Sequence, residues 1–284
     1  MNLLSYDFMR HALLAAVLVG MTAPTVGVYL VQRRLSLIGD GIGHVALAGV
    51  AVGLLTSSAP VLTALATAVA GAGAIELIRA RGRTSGDLAL AILFYGGIAG
   101  GVVIISQAPG GTPGNLNAYL FGAITTTTRG DLVVFAVLSV AVLTVTLGLG
   151  RYIFAVSNDE EYAAAAGMPV LRLNLLLAVV TAVTVVISMR VIGLLLISAL
   201  MIVPVASAQL VARSFRGTIA VAVLIGLAVS IAGVTTSYYA DTPSGGTIVL
   251  FAIAVFVATA AARAAGDGLG RQSRRDSSQL RATG

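Results

Sequence analysis

The stretch HALLAAVLVGMTAPTVGVYLVQRR, residues 11–34, decides the fold class. After His11 it carries no charged side chain as far as Val31, and then meets Arg33 and Arg34. About 20 apolar residues in a helix rising about 1.5 Å each cross a hydrocarbon layer of about 30 Å. The run is longer than the core of a cleavable signal and ends on a basic stop, so it is expected to remain as a spanning helix.

Similar runs follow with short breaks, at 42–56, 60–78, 88–106, 132–149, 171–187, 191–212, 217–237 and 247–262. Of the 284 residues, 58% are hydrophobic and 10% charged. A soluble domain carries about 25% charged residues, so this is an integral membrane chain. The expected fold is all-α: a polytopic helical bundle of about nine transmembrane helices, or eight if one short run is merged or dropped. Abundant glycine and alanine let such helices pack closely. Residues 1–265 form the expected membrane domain, with a cytoplasmic loop near 151–170. Residues 266–284 read as a polar, glycine-rich cytoplasmic tail without fixed structure.

Arginine placement orients the bundle. Fourteen of the seventeen arginines fall in the loops near 32–43, 79–87, 150–172 and 213–216 and in the tail, against Arg10, Arg129 and Arg190 on the other side. Positive charge stays inside, so the N-terminus is expected outside and the C-terminus in the cytoplasm of a bacterial cell, which needs an odd number of spans. The net charge of +6 then reports basic loops and gives no reason to expect nucleic acid as a partner. Cysteine and tryptophan are absent, which removes thiolate sites and leaves tyrosine and arginine as interfacial anchors. No phosphate-binding loop and no lysine occur, so the chain is not itself a P-loop ATPase. The outside loop 107–122 ends in NAYLFG, too short to span and expected to be re-entrant or interfacial.

Two places stand out. In RRLSLIGDGIGHVALAGVAVG, residues 33–53, Asp40 and His44 sit four apart and share a helix face among glycines. A carboxylate and an imidazole can hold zinc, manganese or iron, and an incomplete pair suits an ion that must leave again. Equally, Asp40 could cap a helix 41–56 while His44 is a buried residue bonded to a carbonyl. The second place is RYIFAVSNDEEYAAAAGMPVLRL, from 151. Asn158 or Ser157 can cap a short helix with Asp159, Glu160 and Glu161 in its first turn. Ala163, Ala164, Ala165 and Ala166 continue it and Gly167 ends it. Such a helix is either an ordinary hairpin loop or a docking element for a cytoplasmic partner. Among the other polar residues, Glu76 reads as an ion-paired interfacial group, Tyr95 as a packing residue, Arg190 as a side chain reaching outer water and Pro204 as a kink.

The 33–53 stretch resembles the early segment of the ABC-3-type metal permeases, the membrane subunits of zinc, manganese and iron uptake systems. Ser36, Leu37, Gly39, Asp40, Ile42, His44, Leu47 and Gly49 fit the pattern, and Val45 departs from its usual smaller residue. Residues 159–210 are similar to the family's coupling segment and the two helices after it, with a core from Ile192-Gly193 to Pro204-Val205. The resemblance covers about 5–262. It implies a homodimer of permease chains, two cytoplasmic ATPase subunits carrying ATP and Mg, and an extracytoplasmic metal-binding protein. It implies no cofactor on this chain, which would not be an enzyme, and alternating access as its mechanism. By the same resemblance, Asp40 and His44 contact the ion in transit, and Asn158–Gly167 is the coupling helix. The flavour of the first motif points to zinc, then manganese. A rival reading, a proton-coupled secondary transporter with Asp40–His44 as the relay, lacks an inverted repeat in the hydropathy pattern and leaves the docking helix without a purpose.

Overall fold

Backbone amides in hydrocarbon find partners only within the chain, so apolar runs become helices. A computed structural model describes residues 6–81, 86–107, 119–122, 128–190, 192–194 and 196–282, with side chains described for neither 86–87 nor the stretch past 265. Its helices are α1 (Asp7–Gln32), α2 (Ile38–Leu55), α3 (Pro60–Ala80), α4 (Gly86–Ser106), α5 (Arg129–Gly148), α6 (Gly150–Asn158), α7 (Glu160–Ala165), α8 (Val170–Met189), α9 (Ile197–Val211), α10 (Phe215–Ala240) and α11 (Ser244–Ala282). Among the described residues, eight helices are long and apolar enough to cross a membrane, and α9 is a shorter apolar helix. The helix α11 runs on past 265, into the segment where a tail without fixed structure is expected.

The helix opened by the 11–34 stretch is the mast of the bundle. Its Ala12, Ala15, Ala16, Val19, Ala23 and Val26 are buried, and it packs on α5, α8, α9 and α10. The helix α2 is held between α3 and α4. Several threonine hydroxyls inside the bundle are satisfied by the preceding turn: Thr22 donates to the Leu18 carbonyl at 2.8 Å and Thr184 to that of Val180 at 2.8 Å.

Helix ends follow their caps. Pro60 opens α3. Thr128 and Asp131 form a reciprocal capping box at the start of α5, and the Ser214 hydroxyl accepts from the Gly217 amide at α10. Asp7 lies 3.9 Å from Arg129, at the same end as the Asp131–Arg190 pair. The Arg263 guanidinium donates to the Leu210 carbonyl, and Phe215 stacks on Phe154 of α6, at the opposite end. Asp7 and Arg263 therefore mark opposite ends of the bundle.

The span expected at 191–212 is not one helix. Helix α8 stops at Met189, the described residues 190, 192–194 and 196 are not helical, and α9 begins only at Ile197. Gly193 lies in the left-handed region at φ +88. The Leu194 amide donates to the Tyr119 carbonyl at 2.9 Å, so the piece 119–122 supplies an acceptor that a continuous helix would have supplied itself. A Cβ on Gly193 would sit 2.5 Å from the Gly122 nitrogen and closer still to the Leu120 oxygen. The part of NAYLFG that is described, 119–122, thus packs on the break; 108–118 lies outside the described residues. Arg190 also departs from expectation. Little of it meets water: its side chain is 15% exposed, pairs with Asp131 at 2.8 Å and donates to the Tyr119 hydroxyl at 2.9 Å.

Gly193→Ala meets both penalties, a left-handed alanine and a clash with the 120–122 backbone. It is expected to destabilise the chain by about 2 kcal/mol or more. Thermal unfolding of the purified protein in detergent checks this, and a melting temperature equal to wild type would contradict it.

Candidate functional site

Helix α2 begins at Ile38, earlier than the sequence pattern suggests, after a turn in which the Ile38 amide bonds the Leu35 carbonyl at 3.1 Å. Leu37 is the N-cap position and no side chain caps the helix. Asp40 therefore lies inside the first turn, and capping does not account for its carboxylate. A negative charge there still favours the positive end of the helix dipole.

His44 lies one turn further on, about 6 Å along the axis. It is buried, with Phe94 of α4 meeting it edge-on at 4.5 Å between ring centroids. Its Nδ1 is buried without a hydrogen-bond partner among the described residues, so the alternative of a carbonyl-bonded core histidine is not what the fold builds at that nitrogen. The crossing itself explains the contact. At Gly97 a Cβ would come 2.7 Å from the His44 carbonyl carbon, so α4 rests directly on the α2 backbone there. The unwound stretch reaches the same place, since Leu194 packs on Gly43. Irregular backbone at membrane depth is tolerated where protein buries it or where it lines a cavity.

Asp40 lines a cleft of about 350 Å³ with Leu37, Leu90, Ala91, Phe94 and Tyr95. Leu37 is 64% and Tyr95 69% exposed, so the cleft opens on an outer face of the chain. Tyr95, expected only to pack, forms part of its wall. Among the described residues no group of three or more His, Cys, Asp and Glu comes together. The chain thus offers a carboxylate and an imidazole, and an ion resting there needs its further donors from water, backbone or a second chain. Phe94 carries no signal in the sequence, because every face of α4 is apolar and its register cannot be read.

The second candidate region is built differently from expectation. Asn158 closes α6, and its side-chain oxygen accepts from Gln32 at 3.0 Å. Asp159, not Asn158 or Ser157, caps α7 by accepting from the Tyr162 amide at 2.9 Å. Glu160 and Glu161 are both exposed, and of the two only Glu160 is ion-paired among the described residues. Ala163 is buried on Val156 and Leu173, while Ala164, Ala165, Ala166 and Tyr162 face outward. Gly167 ends the unit at φ +78.

Glu160 belongs to an ion ladder. It takes Arg79 at 3.2 Å, Arg33 at 3.5 Å and the Asn174 amide at 2.9 Å, and Arg79 also pairs with the buried Glu76 at 2.8 Å. The expected pairing of Glu76 is present. Burial, with the Arg79 charge beside it, pushes the Arg33 guanidinium below its usual pKa. The ladder ties α7 to the ends of α1 and α3. Glu76 and Arg79 also line a cleft with Ser36, Leu37 and Ile38, at the start of the helix that carries Asp40.

Comparison with known proteins adds the following. The sequence profile of the ABC 3 transport family matches residues 5–263. The chain is 32% identical over 255 residues to the manganese transport system membrane protein MntC of Halalkalibacterium halodurans, covering 90% of this chain and 87% of that one. It is 32% identical over 261 residues to a probable metal transport system membrane protein of Treponema pallidum, covering 90% and 95%. Among solved structures it is similar to PsaBC from Streptococcus pneumoniae in complex with Fab, with a TM-score of 0.81, 30% identity and coverage of 91% and 92%.

The ladder makes an unequal pair of variants. Arg79→Ala leaves Glu76, 2% exposed, without its charge partner and is expected to lower stability by about 3 kcal/mol or more. Glu160→Ala takes the paired carboxylate from Arg33, whose side chain is 5% exposed but keeps the attraction of Glu76, and is expected to lower it by about 2 kcal/mol. Unfolding curves in detergent that rank the two in the opposite order would refute this reading.

Proposed function

The chain belongs to the ABC 3 transport family and is a permease of a metal-ion ABC transporter, and we propose that it moves a divalent first-row metal ion inward past Asp40 and His44. The observation that carries this is the pair itself. A buried imidazole with a free ring nitrogen stands one turn from a carboxylate that lines a cleft and has no ion pair among the described residues. Stripping water from a divalent ion is too costly without oxygen and nitrogen contacts along the way. Two donors hold such an ion weakly enough to release it.

Because the Asp40 cleft opens sideways, a second copy of the chain is the proposed opposite wall, and the translocating unit is a homodimer. The alanine-faced helix α7 is the proposed seat of a cytoplasmic ATPase subunit, with Asn158–Gly167 as the coupling segment. The ladder Glu160–Arg79–Glu76 then joins that seat to α3 beside α2. An extracytoplasmic binding protein delivers the ion at the end that carries Asp7 and Asp131, which places the N-terminus outside. ATP bound by the partner drives alternating access.

Zinc is the cargo that the early motif suggests. The relative in Halalkalibacterium halodurans is a manganese transport system membrane protein, and that supports manganese as the competing cargo. A carboxylate with an imidazole accepts both ions.

Asp40→Ala and His44→Ala are each expected to lower ATP-dependent metal uptake at least tenfold while the variant chains still purify with their ATPase. Uptake of radioactive zinc and manganese by reconstituted complexes measures this, and rates equal to wild type in both variants would overturn the assignment. In the same vesicles the ion taken up in the presence of a tenfold excess of the other identifies the cargo. Uptake that survives vanadate and collapses with a protonophore would instead favour the secondary transporter.

A further inference from the structure

A cleft of about 530 Å³ opens between α1, the joint of α5 and α6, and the first turns of α10. Its wall is apolar and aromatic. Phe154 and Phe215 pack at 4.3 Å between centroids, and Tyr29 meets Phe215 edge-on at 5.4 Å. The Tyr29 hydroxyl is already used, donating to the Thr146 carbonyl at 2.9 Å. Leu147 continues the apolar wall along α5 and is 62% exposed.

At the rim stand two guanidinium groups, Arg151 and Arg216. Among the described residues neither has a carboxylate within 4 Å, whereas Arg33, Arg79 and Arg190 each meet one. The partners of Arg151 are neutral: it donates to the Tyr152 hydroxyl at 2.8 Å and lies over that ring at 4.6 Å. The site thus combines two uncompensated positive charges with an apolar groove running into the spanning part of α5 and α10. A soluble anion uses only the charges, and a neutral lipid uses only the groove. Lipids with an anionic headgroup use both, and basic pockets at the membrane–water boundary between helices suit them. Guanidinium forks match a phosphate ester well. None of the residues of α7 lines the cleft, so it is separate from the proposed ATPase seat.

We propose that this cleft binds an anionic phospholipid, with the phosphate between Arg151 and Arg216 and an acyl chain along Phe154, Phe215 and Leu147. The inference needs only that the chain lies in a bilayer and is independent of the metal pathway.

The test uses the purified full-length chain in detergent, titrated with dioleoylphosphatidylglycerol, dioleoylphosphatidylcholine or inorganic phosphate. Lipid retention is read by native mass spectrometry and stability by melting temperature. Retention of phosphatidylglycerol at least fivefold above phosphatidylcholine, with a raised melting temperature, is expected, and millimolar phosphate should give neither. The double variant R151Q/R216Q should fall to the phosphatidylcholine level. Ala220→Trp, which fills the groove and keeps both charges, should fall with it. The single variants R151Q and R216Q, both at exposed positions, supply the same reading if the double variant does not purify. Equal retention of the two lipids by wild type, unchanged retention in the charge variants, or a stability gain reproduced by phosphate alone would each overturn the proposal.

Discussion

Every backbone amide placed in hydrocarbon must be bonded within the protein, and that demand shapes the whole molecule. It makes α1 to α5 and α8 to α11 helices irrespective of their side-chain propensities. It also explains the one described place where the rule is met another way. Between Met189 and Ile197 the helix is interrupted, and the Leu194 amide turns to the Tyr119 carbonyl of a short piece from a distant part of the chain. The interruption is not a defect in the packing, since Ile192 and Leu194 are fully buried. It brings non-helical backbone to Gly43, beside the one imidazole inside the bundle whose ring nitrogen has no partner.

Charge obeys the same demand. The acids and bases of the bundle meet near its ends, where Asp131 holds Arg190 and where Glu76, Arg79 and Glu160 alternate in a ladder. Both sets cross-link helices that are distant in sequence, and each keeps a largely buried ionic group compensated. Asp40 belongs to neither set: it is a first-turn carboxylate that borders a cleft opening to the outside of the chain. His44 shares its face and lies behind Phe94, so the two donors differ in access although only four residues separate them.

The spanning helices were legible in the sequence because hydropathy reports the solvent directly, and the Asp40–His44 pair was legible because few polar residues interrupt the apolar runs. What could not be read was which faces meet. A helix such as α4 or α8 is apolar all round, so no periodicity marks the side that packs, and the contact of Phe94 with His44 left no trace in the letters. The break before α9 was hidden for a related reason. The residues Ile192 to Leu196 are as apolar as any spanning helix, and Gly193 is the only hint among them. Arg190 was misjudged because its partner, Asp131, lies 59 residues away in the chain. The cap of α7 shifted by one residue because Asn158, Asp159 and Ser157 are chemically interchangeable in that role, and only the contact of Asn158 with Gln32 decides among them.

The left-handed glycine in RVIGLLLISAL has a meaning for how this sequence can drift. Its aliphatic neighbours fill space, and another aliphatic of similar volume fills it nearly as well. The glycine fills nothing; it supplies a bend and a surface against which Leu120 and Phe121 lie. Variation accumulated over many generations should therefore scatter freely through the bulky letters of that run and leave the smallest one fixed. In such a chain the residue that contributes no side chain carries the most information about the shape.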